Sequence, residues 1–360
     1  MNRSFFRYFP PPPFLVMDAI GVHITDDFIR VIEFKHGTHG RSLKKFLEKK
    51  IPAGILENGT ILKKEELVAA LKEVKKEFGY EFVRATLPEE KSYVFKTELP
   101  VLADSAIGGA IEFKIQENVP IPAAEAIFDY SVIGREKDHL DVTVTVVQQT
   151  VVANYTDVFK RAGLTPLSFK VESQAVARAI IPNGEMKNTL IINFGEKQTG
   201  FYVVSHGVVQ FASTLLLGSG SLTALIERHF KVSTDKALEI KKTRNFSVGG
   251  DNAELMYSIS NSLSVIKDET NKVLAYWKSY TSKTGEEKPI ERIILCGADV
   301  VAANVDRYVS LGVGIPVEVA HVWENAFNIR ASIPNLPMVD SLDYAAAIGL
   351  ALGPRRNHYV

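Results

Sequence analysis

The amino-acid sequence predicts a duplicated α/β fold, two lobes facing each other across a cleft. Short apolar runs with strand character alternate with amphipathic helical segments along most of the chain. The strand–turn–strand at 20–34 has a counterpart at 190–204. There Val22-His23-Ile24-Thr25 matches Ile192-Asn193-Phe194-Gly195 at an offset of 193 − 23 = 170 residues. With 360 residues, 46% of them hydrophobic, the chain can fill more than one core.

The chain opens with "MNRSFFRYFPPPPFLVM". Pro10 to Pro13 break its apolar character, so residues 1–16 read as an extended, Pro-rich lead-in and not as a signal peptide. "AIGVHITDDFIRVIEF" (19–34) sets Val22, Ile24, Ile29, Val31 and Ile32 around the polar centre Thr25-Asp26-Asp27, two strands about a tight turn. Residues 64–78 carry Leu67, Ala70, Leu71 and Val74 at helical spacing with charges opposite. "FVRATLP" and "SYVFKTELP" (82–88, 92–100) read as strands. Ile107, Ile111 and Ile115 mark a helix over 105–119, closed by "PIP". "AIFDYSVIG" and "HLDVTVTVVQQ" are strands joined by the charged turn Arg135-Glu136-Lys137-Asp138. A helix over 151–162 turns Val152, Tyr155, Val158 and Phe159 inward, with Gly163 as its cap.

Further on, "TLIINFG" is a buried strand, "TGFYVVSHGVVQFASTLL" a strand–turn–strand, and "GSGSLTALIERHF" a helix opening on small residues. Residues 262–280 form a long helix with Leu263, Ile266, Val273, Tyr276, Trp277 and Tyr280 on one face. "RIILCGADV" is a strand entering a glycine turn and a helix. "YAAAIGLAL" is an apolar C-terminal helix too short to span a bilayer.

Lys+Arg and Asp+Glu number 42 each, a balance that argues against a nucleic-acid coat. No window approaches the length of a membrane span. A single cysteine, Cys296 in "IILCG", reads as a buried structural thiol of a reducing compartment, and the chain is expected to be cytoplasmic. His36 and His39 stand in a glycine-rich turn without further ligands, so no metal site is expected, and no Ser/His/Asp hydrolase signature is present.

Taken in order, "IRVIEF", "IPAGILENGTI", "SYVFKTELP", "IEFKIQENVPIPAAEAIFDYSVIG", "VFKRAGLTPLSFKVESQAVARAI", "LIINFGEKQTGFYVV", "RIILCGADV" and "LGVGIPVEVA" resemble the type IV pilus assembly PilM family. That family lies in the actin-like ATPase superfamily and is related to FtsA, and the resemblance runs over about residues 14 to 352. It implies an actin-like (ribonuclease H-like) two-lobed fold with an inserted FtsA/PilM-type subdomain. Residues 17–84 would be part of the first lobe, 85–170 the insertion, and 171–188 the crossover completing that lobe. Residues 189–342 would be the second lobe, and 343–360 a C-terminal helix and tail. It also implies a place at the cytoplasmic face of the inner membrane among other pilus assembly components. There a groove of the insertion would hold the cytoplasmic tail of a PilN-like bitopic membrane protein.

The resemblance further implies where a nucleotide would sit: Thr25, Gly195, Gln198, Thr199, Gly218, Glu239, Lys241, Gly297 and Asp299. Here the chain departs from its family. The hairpins of the two lobes normally each present an aspartate, and those positions fall on His23 and Asn193; the small residue of the first turn becomes Thr25, and the adenosine turn, normally consecutive glycines, reads Gly297-Ala298-Asp299. Magnesium bound to a triphosphate needs hard anionic oxygens, which an imidazole and an amide do not supply. Phosphoryl transfer depends on that charge neutralisation and positioning. Hydrolysis is therefore not expected, no catalytic residue is assigned, and Mg-ATP binding, if any, is expected to be weak.

His23 reads as a structural residue in preference to an anion ligand. Asp18 in "MDAIG" imitates the family aspartate, but its 12-residue distance to Arg30 does not fit a tight hairpin. "GSGSLT" could cradle an anion on free N–H groups or be an ordinary helix start. Glu239 and Lys241 suit an exposed charged helix as well as a base and ribose site. Glu172 matches a family glutamate near the cleft or a charge at a helix start. A scaffold of pilus or type II secretion-like assembly is the reading adopted, with a nucleotide-binding ATPase or switch as the alternative. A sugar kinase would need an aspartate base that is not found. An FtsA-like division role would need a terminal amphipathic helix, which "ALGPRRNHYV" is not.

Overall fold

The computed structural model describes residues 19–37, 40–243, 253–283, 288–297, 299–302, 305–328 and 332–353. The expected lead-in 1–16, Asp18, Ala298 and the tail beyond residue 353 lie outside the described residues. The first lobe begins with β1 (Ile20–Ile24), β2 (Phe28–Gly37) and β3 (Gly40–Lys50), then a short ladder of β4 (Leu56–Glu57) with β5 (Thr60–Ile61). Helix α1 (Lys64–Phe78) and strand β6 (Phe82–Leu87) follow. Leu67, Ala70, Leu71 and Val74 are buried, and α1 ends where Gly79 takes the left-handed conformation at φ 71°.

The insertion is a sheet of its own. β7 (Ser92–Pro100), α2 (Asp104–Asn118), β8 (Ala126–Arg135) and β9 (His139–Gln148) build it, with β9 central in the order β7-β9-β8. Helix α2 buries Ile107, Ile111 and Ile115 against this sheet. The chain then returns to the first lobe through α3 (Gln149–Arg161) and β10 (Thr165–Val171). Helix α3 packs with α1 in one core, and β10 pairs in parallel with β6. This three-stranded sheet spans 92–148 within the expected insertion 85–170. The strands at its two ends are held by the first-lobe sheet, whose order is β10-β6-β1-β2-β3.

Helix α4 (Glu172–Ile180) crosses to the second lobe, built on β11 (Thr189–Phe194), β12 (Thr199–Ser205) and β13 (Val208–Leu215). Helices α5 (Gly220–Phe230), α6 (Thr234–Thr243) and α7 (Ala253–Lys283) precede β14 (Arg292–Cys296), α8 (Asp299–Ala302), α9 (Val305–Val313) and β15 (Val317–Val319). The chain closes on α10 (Met338–Ser341) and α11 (Ala345–Ala351). Helix α7 is longer than the 262–280 expected, and Leu255 and Ile259 extend its buried face. Tyr276 leaves that face: it is 49% exposed and packs on Phe211 at 4.7 Å between ring centroids. Among the described residues no helix is long and apolar enough to cross a membrane.

The second sheet, β13-β12-β11-β14-β15, repeats the first: three antiparallel strands, then two parallel ones. The repeat holds to the residue. His23 pairs with Arg30 and Asn193 with Gly200, both partners shifted by 170 (193 − 23 and 200 − 30). Strand β1 is buried along its whole length because helices cover both faces. Ile20, Val22 and Ile24 join the core with α1 and α3. Gly21 and His23 alternate to the other face, where α11 and α4 lie; a Cβ on Gly21 would sit 2.1 Å from the carbonyl of Ala347. Cys296 is buried, its thiol pushed up by burial and donating to the Leu342 carbonyl at 3.2 Å, as a structural thiol would.

Candidate functional site

A cavity of about 310 Å³ opens between the two hairpin turns. From the first lobe come the β1–β2 turn, Asn58-Gly59, the segment Thr86–Pro88 with Glu90, and Tyr155; from the second come the β11–β12 turn and Tyr202. Thr25 closes its own turn. Its N–H donates to the Phe28 carbonyl at 2.9 Å, and the Phe28 N–H donates to its hydroxyl at 3.1 Å. Asp26 accepts from the Asn58 and Gly59 N–H groups at 2.7 and 3.1 Å, pinning that loop to the turn. The lobes meet directly where Lys197 and Asp27 pair at 2.8 Å.

The centre of the site is Glu172, at the first turn of α4. Asn193 Nδ2 donates to its Oε1 at 2.8 Å, and His23 Nε2 lies 3.6 Å from the same oxygen. Burial pushes the Glu172 carboxyl up to about 8, with Glu90 and Glu89 adding to the effect. Burial, helped by the Arg30 cation, lowers His23 to about 3. At neutral pH the contact is therefore a neutral imidazole beside a protonated carboxyl. It is not an ion pair, and 3.6 Å is too long for a hydrogen bond. The two positions where the resemblance implied carboxylates thus converge on one uncharged acid supplied by the crossover helix.

Several residues here were not singled out from sequence. Glu89, only 4% exposed, accepts from the Ser173 N–H at 2.7 Å and from its hydroxyl at 2.9 Å, and burial pushes it up to about 7. Arg30 spans Glu48 at 2.6 Å and Asp343 at 3.3 Å. Tyr202 passes its hydroxyl over Gly200, where a Cβ would lie 2.1 Å away. No local signal marks them: an acidic pair such as Glu89-Glu90 after Pro88 is equally what an exposed turn carries.

Of the residues assigned by resemblance, Thr25, Gly195 and Gln198 line the cavity together with His23 and Asn193. The rest do not. Thr199 is fully buried and donates to the Leu217 carbonyl at 2.6 Å. At "GSGSLT" the N–H groups of Ser219 and Gly220 donate to the Gly195 and Glu196 carbonyls at 2.9 and 2.8 Å, and the Ser219 hydroxyl donates to the Glu196 carboxylate at 3.0 Å. The helix start is satisfied by the β11–β12 turn, which of the two readings fits the ordinary helix start. Gly218 is needed for this contact, since a Cβ would meet the Glu196 carbonyl at 2.4 Å.

Lys241, which suited an exposed helix and a base and ribose site equally, is 2% exposed; it donates to Thr223 at 2.7 Å and pairs with Asp299 at 2.8 Å. This buried pair joins α5, α6 and α8 behind the turn. Glu239 is solvent-facing and pairs with Lys236 at 2.7 Å. Gly297 takes φ +102°, and a Cβ there would lie 2.1 Å from the Phe194 carbonyl, so it serves the close approach of β14 to β11.

The sequence model of a family described as Type IV pilus assembly protein PilM matches residues 21–355. Among solved structures, the chain is similar to one from a PilM-PilN type IV pilus biogenesis complex. The TM-score is 0.76 and the identity 19%, over 93% of this chain and 98% of that one. The ethanolamine utilization protein EutJ of Carboxydothermus hydrogenoformans gives TM-score 0.51 and 14% identity, over 95% and 91% of the two chains. MreB5 of Spiroplasma citri bound to ADP gives 0.51 and 12%, over 86% and 93%. At such identities the structural matches carry the two-lobed actin-like fold.

Proposed function

Because the chain belongs to the type IV pilus assembly protein PilM family, we propose that it is a cytoplasmic docking scaffold of that machine whose nucleotide cleft no longer hydrolyses ATP. The insertion is the docking element. Its edge strand β8 keeps Phe128, Tyr130 and Val132 only partly covered, in one apolar cluster with the buried Ile107, Ile111 and Ile115 of α2. The outer edge of β8 has no strand partner among the described residues. A half-covered apolar strip beside an unpaired edge suits an extended peptide, which gains main-chain hydrogen bonds and side-chain pockets at once. The partner is a PilN-like membrane protein, through its cytoplasmic tail, and that contact holds the scaffold at the inner membrane.

A synthetic peptide of that tail is expected to bind the full chain, and Phe128→Lys or Tyr130→Lys to weaken it by about tenfold or more. Equal binding by both folded variants would remove the insertion from the docking role.

The inert cleft rests on Glu172. With His23 and Asn193 turned to an uncharged acid, no pair of anionic oxygens from the two hairpins remains to orient hydrated magnesium. Wild-type protein is expected to show no Mg²⁺-dependent ATP turnover above a protein-free control. The double variant His23→Asp/Asn193→Asp is expected to gain Mg²⁺-dependent nucleotide binding by calorimetry, the metal offsetting the mutual repulsion of the two new carboxylates. Thr25, Gly195 and Gln198 still face the cavity, which is what favours the second reading, a nucleotide-dependent switch. Turnover by the wild type would replace the first reading with that one.

A further inference from the structure

We propose that the insertion is a strap that fixes the two lobes in one orientation, so that the chain's own contacts hold the cleft closed. By chain connection the insertion belongs to the first lobe: it leaves after β6 and returns through α3, which packs with α1. Its back is turned to the second lobe. Alternate residues of paired strands share a face. In β7 and β9 one face, with Leu99, Val142, Val144 and Val146, covers α2. The other face carries Val94, Thr143 and Thr145.

That second face is seated on β13, an edge strand of the second-lobe sheet. Val94 packs on the cluster that includes Tyr202, Val204 and Val209. The Thr143 hydroxyl donates to Gln210 Oε1 at 3.3 Å, and the two residues are 4% and 6% exposed. A polar pair so far from water bonds in one register only, so it specifies the seat as well as holding it. Gln174 of α4 donates to the Thr145 hydroxyl on the same face at 2.9 Å.

The cleft mouth supplies the independent observation. Lys197 of the β11–β12 turn pairs with Asp27 of the β1–β2 turn at 2.8 Å, and Gln198 hydrogen-bonds the Glu90 side chain. Glu90 lies in the short turn Glu89–Lys91 that leads straight into β7, and this turn also touches β13. The root of the strap is thus tied to the cleft mouth on one side and to the seat on the other. Close-packed contacts shift together or not at all, so opening the cleft and lifting the insertion off β13 are one motion. The strap also gives β8 a fixed place relative to both lobes, whatever docks there.

Thiol labelling of the full chain tests this. Thr143→Cys places a thiol of nearly the same shape inside the seam, where a reagent reaches it only when the insertion lifts off β13. Cys296 is buried, and the wild type gives its background rate. Ser131→Cys, at an exposed position of β8, sets the rate of an open thiol. Thr143→Cys is expected to react about a hundredfold more slowly than Ser131→Cys. Adding Lys197→Glu, which sets like charges against each other at the cleft mouth and touches nothing in the seam, is expected to speed it about tenfold. Lys76→Glu, an equal change of charge on the exposed side of α1, is expected to leave the rate unchanged. Thr145→Cys, 8% exposed on the same face, repeats the measurement at a second point, and circular dichroism checks that each variant folds. Labelling of both seam thiols at the open rate would overturn the proposal, because the seam would not be closed. A rate unmoved by folded Lys197→Glu would overturn it too, because insertion and cleft would then move separately. A tail peptide that failed to bind would bear on the docking reading alone.

Discussion

Gly349→Ala is expected to lose about 3 kcal/mol or more of folding stability, a large part of a typical domain's total. Gly349 lies in α11, and a Cβ built on it would stand 1.8 Å from the carbonyl oxygen of Ala175 in α4. That neighbour is helix backbone and cannot rotate away, so the two helices must part. On the other side of α11, a Cβ on Gly21 would strike Ala347 in the same way, so α11 is wedged between β1 and α4 with no slack. The damage would reach the cleft, because α4 begins with Glu172 and α11 directly follows Asp343 and Tyr344. Gly108→Ala in α2 is the control: nothing lies within 4 Å of its Cβ position, and a gain of up to ~1 kcal/mol is expected. Urea denaturation measures both. An unchanged midpoint for Gly349→Ala would mean that the helices are not packed this closely.

Stability is expected to fall as pH rises from about 6.5 to 8.5, and the cleft is the reason. Glu89 titrates near 7 and Glu172 near 8 in the folded chain, both above the ordinary value of 4.5, chiefly through burial. Between 4.5 and these values the folded state holds more protons than the unfolded one. The contribution of the two acids is whole below 4.5 and drains away as pH climbs through 7 and 8. His23 runs the other way. Lowered to about 3 from 6.5, it destabilises the fold as pH drops below 6.5, so it partly cancels the acids in the range where their effects overlap. Above 6.5 only the acids act, and their combined loss there is about 3 kcal/mol. Glu89→Gln/Glu172→Gln keeps the shape and removes the titration, and is expected to flatten the alkaline limb of a urea-midpoint profile. A wild type equally stable at pH 6.5 and 8.5, or a double variant falling just as steeply, would place the protons elsewhere.

Much of the architecture was legible. The 170-residue echo between "VHIT" and "INFG" proved to be the pairing of His23 with Arg30 and of Asn193 with Gly200 in two sheets of one plan. Periodicity located α1 and α2 because each lays a single apolar stripe on a sheet. The limits of the insertion were harder to read. A strand such as 165–171 looks the same whichever sheet it joins, and only its pairing with β6 assigns it to the first lobe. The site was legible in its departures and not in its partners. His23 and Asn193 stood out as replacements, whereas Lys241 suited an exposed helix or a base and ribose site equally and stands in a buried ion pair with Asp299.

By itself the sequence determined the duplicated α/β frame, the family, and the absence of paired aspartates from the two hairpins. Those properties are written in residue type and spacing along the chain. Tertiary structure alone decided that Glu172 stands between His23 and Asn193, that Glu196 satisfies the start of α5, and that the cleft is lined mainly by acids. Each of these depends on how far a group is withdrawn from water and on which distant segment faces it. Burial and long-range proximity fix proton affinity and field, and neither is a property of local sequence.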